Sequence, residues 1–200
     1  MHSTIARSRF GWRVIDIVTA AVIGVAAGFL FFVWNLIYSP VSAPLESALP
    51  GLQALVYGVW LIAAILGAAI IRKPGAAIFT ELVAAMVSAT LGASWGILTL
   101  QSGLIQGLGA ELVFLLFFYR NWRPFVLVLA GAAAGLAMAV NDIILWYPGS
   151  KFEFMLIYGI ASIVSGAVVA GLGGWALTNA LARTGVLSRF EVGRERIAQV

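Results

Sequence analysis

Residues 103–118 read GLIQGLGAELVFLLFF, an apolar stretch that contains one amide, Gln106, and one carboxylate, Glu111. A carboxylate at membrane depth is costly unless it is paired, neutralised or facing water. Gly103, Gly107 and Glu111 are spaced by four, so a helix carries them on one face. Because glycines let a second helix approach closely, we expect this face to contact protein and not lipid.

The composition is that of a membrane protein. The 200 residues are 62% hydrophobic and 10% charged, whereas a soluble domain carries about 25% charged residues. A membrane-spanning helix needs ~20 apolar residues. Charged residues are missing from the stretches 17–45, 47–71, 82–110, 125–141 and 154–182. The sequence therefore predicts an all-α integral membrane protein with a single membrane domain over residues 1–200.

Several classes of chemistry are disfavoured by what the sequence lacks. It contains no cysteine, and its one histidine is His2, so disulfides, thiolate chemistry and His-based metal or catalytic sites are not expected. The sequence has no P-loop pattern, so ATP hydrolysis by that route is not expected. We therefore expect neither a cofactor nor enzymatic activity, and we attribute the net charge of +4 to membrane topology and not to nucleic-acid binding.

The apolar runs and turn residues predict six transmembrane helices in one compact bundle. We expect a cytoplasmic N-terminal segment (1–13), a six-helix bundle (14–182) and a basic cytoplasmic tail (183–200). The predicted spans are Val14–Ile37, Leu52–Ile71, Gly75–Leu91, Ile97–Phe118, Phe125–Trp146 and Phe154–Ala182. A cleaved signal peptide is the alternative for the first run, but its ~24 residues exceed the usual apolar length of such a peptide.

The basic residues predict the orientation of the bundle. Six spans place both termini on one side. If that side is cytoplasmic, eleven of the twelve Lys and Arg residues lie there and only Lys151 lies outside. This asymmetry is the positive-inside pattern of a multi-pass protein in a cell membrane.

The start of the fourth helix has two possible registers. If the helix begins at Ile97, Glu111 lies in the inner third of the membrane. If residues 92–103 form a re-entrant loop, which Gly92, Gly96 and Gly103 permit, the helix begins near Leu104. Glu111 then lies at mid-membrane. Irregular backbone at that depth is tolerated where it lines a cavity, so the second register favours a ligand site.

The polar residues inside the spans bias the interior toward negative charge. Glu81, Glu111 and Asp142 all fall on or near small-residue stripes, and the neighbouring amides are Asn35, Gln101, Gln106 and Asn141. No Lys or Arg lies deep in any span, so the interior suits a cation or a hydrogen-bonding polar ligand. The structural alternative pairs Glu81 or Glu111 with a basic turn residue such as Arg72, Lys73 or Arg120.

Tyr57 and Trp60 lie deeper than the other interfacial aromatics. Trp60 is about 12 Å into its helix at 1.5 Å per residue, which is deep for a residue of the interfacial belt. A buried Trp usually has a partner for its N–H group. The pair could form an aromatic floor for a flat cationic ring, and plain core packing is the alternative.

Several segments of the chain resemble one family over nearly its whole length and in the same order. These segments are Leu49-Pro50-Gly51, Tyr57-Gly58-Val59-Trp60, Arg72-Lys73-Pro74-Gly75-Ala76-Ala77 with Glu81, Gln106-Gly107-Leu108-Gly109-Ala110-Glu111, Asn141-Asp142, Leu145-Trp146-Tyr147 and Ala180 to Leu187. Together they are similar to the YkoE-type substrate-binding S component of energy-coupling factor (ECF) transporters.

That resemblance implies a six-helix protein that binds a vitamin at its outer side, here thiamine or its hydroxymethylpyrimidine precursor. The partners implied are a transmembrane coupling protein and cytoplasmic ATPases, and the S component is thought to topple in the membrane to release its ligand. Ala20, Gly24 and Gly28 would contact the coupling protein. One departure is Ser88, where an acidic residue often stands in the family, and this puts the ligand or its affinity in question.

We therefore predict a vitamin-binding transport subunit embedded in the lipid bilayer. The predicted ligand contacts comprise acids for charge and amino groups, amides that orient the ring, and aromatics that stack on it. These residues are Glu81, Glu111, Asp142, Gln106, Asn141, Tyr57 and Trp60. The alternatives are a membrane scaffold without a ligand, whose acids are structural, and a secondary transporter that works alone.

Overall fold

The computed structural model describes residues 10–197, which form helices joined by short turns and contain no β-strand. The helices are α1 (Val14–Ala48), a 3₁₀ helix (Leu52–Leu61) continuous with α2 (Ile62–Ile71), α3 (Ala76–Thr90), α4 (Leu98–Leu116), α5 (Pro124–Leu145), α6 (Phe152–Ser165), a π-helical turn (Gly166–Leu172) continuous with α7 (Gly173–Arg183), and α8 (Glu191–Ile197). The predicted all-α class is confirmed.

Within residues 10–197, five helical stretches are long and apolar enough to cross a bilayer. These stretches are Val14–Ala48, Leu52–Ile71, Leu98–Leu116, Pro124–Leu145 and Phe152–Arg183. α3 is also apolar, but its 15 residues fall short of the ~20 that a straight span requires. Six membrane crossings, and termini on the cytoplasmic side, therefore stay predictions, with α3 as the sixth candidate.

Two helix boundaries bear on the sequence predictions. One differs from its predicted position, and the other selects between the two registers of the fourth helix. α1 continues to Ala48, past the predicted end at Ile37, with Pro40 and Pro44 inside its last turns. α4 begins at Leu98, so the register with a helix start near Ile97 is confirmed and the re-entrant alternative is wrong. Gly103 does not break the helix; it brings α4 close to α3, where an added Cβ would lie 2.7 Å from the Cβ of Ala85.

α2 lies at the centre of the bundle. Nine consecutive residues, Ala63 to Ile71, are buried, as expected for a helix that is apolar on every side. Contacts to α3, α4, α5 and α7 surround it. The preceding 3₁₀ helix is fixed to α6 by Ser165, whose Oγ accepts the Gly58 N–H at 2.8 Å and donates to the Leu55 carbonyl at 2.6 Å.

The small-residue stripes mark helix crossings at which backbones touch. On α1, Gly24 and Gly28 are buried against α3. On α5, an added Cβ at Gly135 would lie 2.9 Å from the Ser162 carbonyl carbon of α6, and one at Gly131 would lie 2.9 Å from the Gly166 carbonyl carbon. Small residues at these positions let the two backbones approach this closely.

The turn between α2 and α3 pairs with residues of α1 and α8. We call this side of the molecule, which contains Arg13, Arg72 and Lys73, the basic end of the bundle. Lys73 Nζ lies 2.5 Å from the Asp16 carboxylate, which is buried and also pairs with Arg13 at 2.7 Å. Arg72 Nη1 contacts Glu195 of α8 at 2.6 Å. A buried acid with two basic partners anchors the start of α1 to this turn.

Residues 184–190, which follow α7, pack onto the bundle. Leu187 and Phe190 are buried in a cluster with Ile70, Ile71 and Ala20. The Arg13 guanidinium lies 5.9 Å from the centre of the Phe190 ring. The basic residues of this segment predict its side of the membrane, whereas its buried apolar side chains, Leu187 and Phe190, hold it against the bundle.

Candidate ligand cavity

A cavity of about 330 Å³ lies at the end of the bundle opposite the basic end. Its wall is built by α1, the 3₁₀ helix, α3, α4, α5 and α6, together with the loops that follow α3 and α5. This volume falls in the range of small-molecule sites. Five of the seven predicted ligand-binding residues line it: Tyr57, Trp60, Glu81, Gln106 and Asp142.

One wall of the cavity is a cluster of aromatic rings. The centre of the Trp60 ring lies 5.1 Å from those of Tyr57 and Tyr38 and 5.5 Å from that of Trp95. Tyr38 comes from α1, and Trp95 comes from the loop between α3 and α4. Clustered rings of this kind present aromatic faces and edges on which a flat ring can stack.

A hydrogen-bond chain holds Trp60 in this wall. Trp60 Nε1 donates to Asn35 Oδ1 at 2.8 Å, and Asn35 Nδ2 donates to Ser88 Oγ at 3.0 Å. Ser88 is buried and lines the cavity. The serine at this position thus serves the Asn35 amide, which in turn positions the indole ring.

Asp142 contributes a carboxylate to the cavity lining. Asp142 Oδ2 accepts a hydrogen bond from the Tyr158 hydroxyl at 2.7 Å, and Oδ1 accepts one from Asn141 Nδ2 at 3.3 Å. The Tyr158 ring lies 5.3 Å from that of Tyr147, which also lines the cavity. Asp142 therefore offers negative charge beside a second aromatic surface.

Asn141 does not line the cavity and supports Asp142 from behind. It accepts from Gln101 Nε2 at 3.3 Å and donates to Ser102 Oγ at 3.1 Å, which joins α5 to α4. Asn141 is buried. Its hydrogen bond to Asp142 helps to position that carboxylate, and its own contact with a ligand stays a prediction.

Glu81 is fully buried and belongs to the cavity wall. Its Oε2 accepts the backbone N–H of Ala64 at 2.7 Å. Ala64 lies in the first turn of α2, where backbone N–H groups have no partner within the helix. Within residues 10–197 Glu81 forms no ion pair, so the alternative that pairs it with a basic turn residue is wrong.

Glu111 lies outside the cavity and binds the start of α3. Its carboxylate accepts the backbone N–H groups of Gly75 at 2.6 Å and Ala77 at 2.9 Å, and the Tyr119 hydroxyl at 2.7 Å. Burial raises the pKa of Tyr119, which keeps the hydroxyl protonated as a donor. A carboxylate is well stabilised at a helix N-terminus, so these contacts give Glu111 a structural role, and its contact with a ligand stays a prediction.

The face of α1 that was predicted to contact a coupling protein is occupied within the chain itself. Ala20 has no exposed surface, and Gly24 and Gly28 are buried. An added Cβ at Gly24 would lie 2.7 Å from the Cβ of Val83 in α3. The small-residue spacing marks a close contact with α3, and a contact of this face with a coupling protein stays a prediction.

The polar and aromatic cavity residues that sequence reasoning did not select as ligand contacts include Asn35, Tyr38, Trp95 and Tyr158. Asn35 is one of few strongly polar residues inside a span, and Tyr38 follows it by three, on the same helix face. That pairing was an available signal. Nothing local distinguishes Trp95 and Tyr158, because the distant packing of loop and helix brings them to the cavity.

Two comparisons of the sequence with known proteins identify transport proteins as its relatives. A family model described as the permease component of an ABC-type cobalt transport system matches residues 15–137. The putative hydroxymethylpyrimidine (HMP)/thiamine permease protein YkoE of Bacillus subtilis (strain 168) is 36% identical over 186 residues, which cover 92% of each protein. Among the described residues, no group of three or more His, Cys, Asp or Glu side chains could hold a metal ion.

The fold is also that of a solved transporter subunit. The crystal structure of an S-component of an ECF transporter superposes with a TM-score of 0.86 at 32% identity, covering 94% of this chain and 95% of that chain. The family model spans more than half of this chain, and both relatives span nearly all of it. The chain therefore belongs to the family of ECF transporter S components that includes YkoE.

Proposed function

We propose that this S component captures thiamine or its hydroxymethylpyrimidine precursor in the cavity and presents it for ATP-driven uptake. The observation that carries the proposal is the pairing of an aromatic wall at Trp60 with two carboxylates, Glu81 and Asp142, in one cavity. The similarity to YkoE, a putative HMP/thiamine permease protein, supports the same ligand class.

Thiamine combines an aminopyrimidine ring with a permanently cationic ring, and the cavity matches both properties. Tyr57 and Trp60 supply stacking and cation–π attraction. Asp142 supplies charge and accepts from the amino group, while Gln106 orients the pyrimidine. These aromatic faces suit a flat organic ring and have no role in coordinating a cobalt ion.

The direction of capture follows from the charge asymmetry. The basic end of the bundle contains Arg13, Arg72 and Lys73, and we assign it to the cytoplasmic side by the positive-inside pattern. The cavity then opens on the outer side, where an importer meets its substrate. Both termini are cytoplasmic in this assignment, and α3 completes six crossings.

The energy for uptake comes from partner proteins in this proposal. The sequence lacks a P-loop pattern, so a transmembrane coupling protein and cytoplasmic ATPases of the ECF type supply ATP hydrolysis.

The test is intrinsic tryptophan fluorescence of the detergent-purified protein, titrated separately with thiamine and with hydroxymethylpyrimidine. Trp60 and Trp95 line the cavity, so a stacked ligand should quench emission with a saturable, submicromolar response. A response to the pyrimidine alone would change the substrate within the proposed class. A folded protein that responds to neither ligand, with calorimetry also silent, would contradict the proposal.

A further inference from the structure

One oxygen of Glu81 has no hydrogen-bond donor among residues 10–197. Glu81 is fully buried in the cavity wall. Its Oε2 accepts a single backbone N–H, that of Ala64, at 2.7 Å, while Oε1 has no partner. A buried ionised carboxylate is strongly disfavoured unless it is paired and fully hydrogen-bonded.

The other buried acids of the bundle are better supplied with donors. Glu111 receives two backbone N–H groups within 2.9 Å and the Tyr119 hydroxyl. Both oxygens of Asp142 accept hydrogen bonds, from Tyr158 and Asn141. Of these buried acids, Glu81 is therefore the one whose ionised form this protein stabilises least, because its Oε1 is a buried acceptor without a donor among residues 10–197.

The groups that face Glu81 across the cavity add no positive charge. They are Tyr38 of α1, Tyr57 of the 3₁₀ helix, Asp142 of α5 and Tyr158 of α6, with the loop residue Tyr147. The amide of Gln106 represents α4. Among residues 10–197 no Lys, Arg or His lines the cavity, and the nearest charge on α4 toward the basic end is another acid, Glu111.

We infer that Glu81 is protonated in the ligand-free protein and releases its proton to solvent when a cationic ligand binds. The O–H bond at the carboxyl group breaks, and the resulting carboxylate pairs with the positive charge of the ligand, so the cavity exchanges one cation for another. Ionised Asp142 supplies the standing negative charge. This inference rests on the proposed function and concerns how the same cavity selects charge.

Two consequences distinguish proton exchange from simple charge attraction. Because binding releases a proton, the affinity for thiamine rises with pH, approaching tenfold per pH unit while Glu81 stays protonated in the free protein. Hydroxymethylpyrimidine presents the same pyrimidine ring without the cationic ring, so it should bind without releasing a proton. The two ligands thus form a matched pair.

The experiment is isothermal titration calorimetry at pH 7 in phosphate and in Tris, two buffers with different ionisation enthalpies. The difference in apparent binding enthalpy gives the number of protons released. We expect about one proton per thiamine and none per hydroxymethylpyrimidine. Glu81→Gln should bind thiamine with no proton release, whereas Asp142→Asn should bind more weakly and still release about one.

The number of protons that the wild-type protein releases on binding each ligand can overturn the inference by itself. The test therefore does not depend on the variants folding. Saturable thiamine binding without proton release would overturn it and leave the proposed function standing. Equal release with both ligands, or binding of the pyrimidine alone, would also overturn it. A folded protein that binds neither ligand would instead contradict the proposed function.

Discussion

Glu81 and Glu111 show how one residue type takes two roles in this bundle. Each reaches the N-terminus of a neighbouring helix, α2 for Glu81 and α3 for Glu111. Both oxygens of Glu111 accept hydrogen bonds, and Glu111 lies away from the cavity. Glu81 belongs to the cavity wall, and its buried Oε1 has no hydrogen-bond partner among residues 10–197. The number of donors, more than the burial, separates a structural acid from one that can serve a ligand.

Glu111→Gln should lower stability without removing the site. The variant loses the charge-assisted bonds at the start of α3, and hydrogen bonds to charged groups contribute about 1.5–3 kcal/mol. We expect a lower midpoint of thermal unfolding in detergent, with thiamine affinity changed less than about threefold, which is below 1 kcal/mol. The exposed Glu153, changed to Gln, is the matched control and should unfold like wild type. Loss of binding by folded Glu111→Gln would return this residue to the ligand site.

Trp60→Phe should weaken binding while keeping an aromatic face. The variant replaces the indole with a smaller ring that attracts a cation less strongly, and it removes the Nε1 hydrogen bond to Asn35 that positions the ring. A cation–π contact contributes about 1 kcal/mol, so we expect a loss of up to roughly fivefold in affinity. Calorimetric titration with thiamine measures the change. Trp34→Phe is the control, because Trp34 lies outside the cavity lining and should bind as wild type does. Equal effects of the two substitutions would argue against stacking at Trp60.

At the scale of elements, spacing predicts that two helices touch but not which two. The repeats at Gly24 and Gly28, and at Gly131 and Gly135, correctly indicate backbone contacts, since only small residues fit there. The identity of the neighbour depends on the order in which six helical stretches pack. The α1 stripe, for example, which the family pattern assigns to a partner protein, packs against α3 in this structure.

Gly131→Ala should disrupt the contact between α5 and the π-helical turn. An added Cβ would lie 2.8 Å from the Gly171 backbone nitrogen, and rigid backbone cannot move away cheaply. We expect loss of folded protein in size-exclusion chromatography or a clear fall in the thermal midpoint. Gly159→Ala is the matched control in α6, since an added Cβ there meets no atom within 4 Å. A stable Gly131→Ala protein would contradict this description of the crossing.

The sequence predicts more of the scaffold than of the site. Apolar runs and basic turns placed the helices to within a few residues, except where α1 continues past Pro40 and Pro44 to Ala48. Tyr57, Trp60 and Asp142 could be selected because depth and polarity mark them. Trp95 and Tyr158 could not, because long-range packing alone brings them to the cavity.

For the whole molecule, orientation in the membrane is the property that gives the cavity its function. The chain has no cysteine, so single Cys substitutions can report on each side. Lys151→Cys should react with a membrane-impermeant maleimide on intact cells, because it follows α5 on the predicted outer side. Ser188→Cys, near the basic end, should react only after the cells are opened. The reverse labelling pattern would invert the topology and place the cavity on the cytoplasmic side.

The central claim is that the cavity holds the ligand, and a blocking variant tests it most directly. Thr99 lines the cavity, and Ile97, two residues earlier, is 75% exposed and lies outside the lining. Calorimetric titration of thiamine into wild type, Thr99→Trp and Ile97→Trp compares a filled cavity with an equally bulky change beside it. We predict that Thr99→Trp abolishes binding while Ile97→Trp retains it. Undiminished binding by a folded Thr99→Trp protein would show that the ligand binds elsewhere and contradict the account.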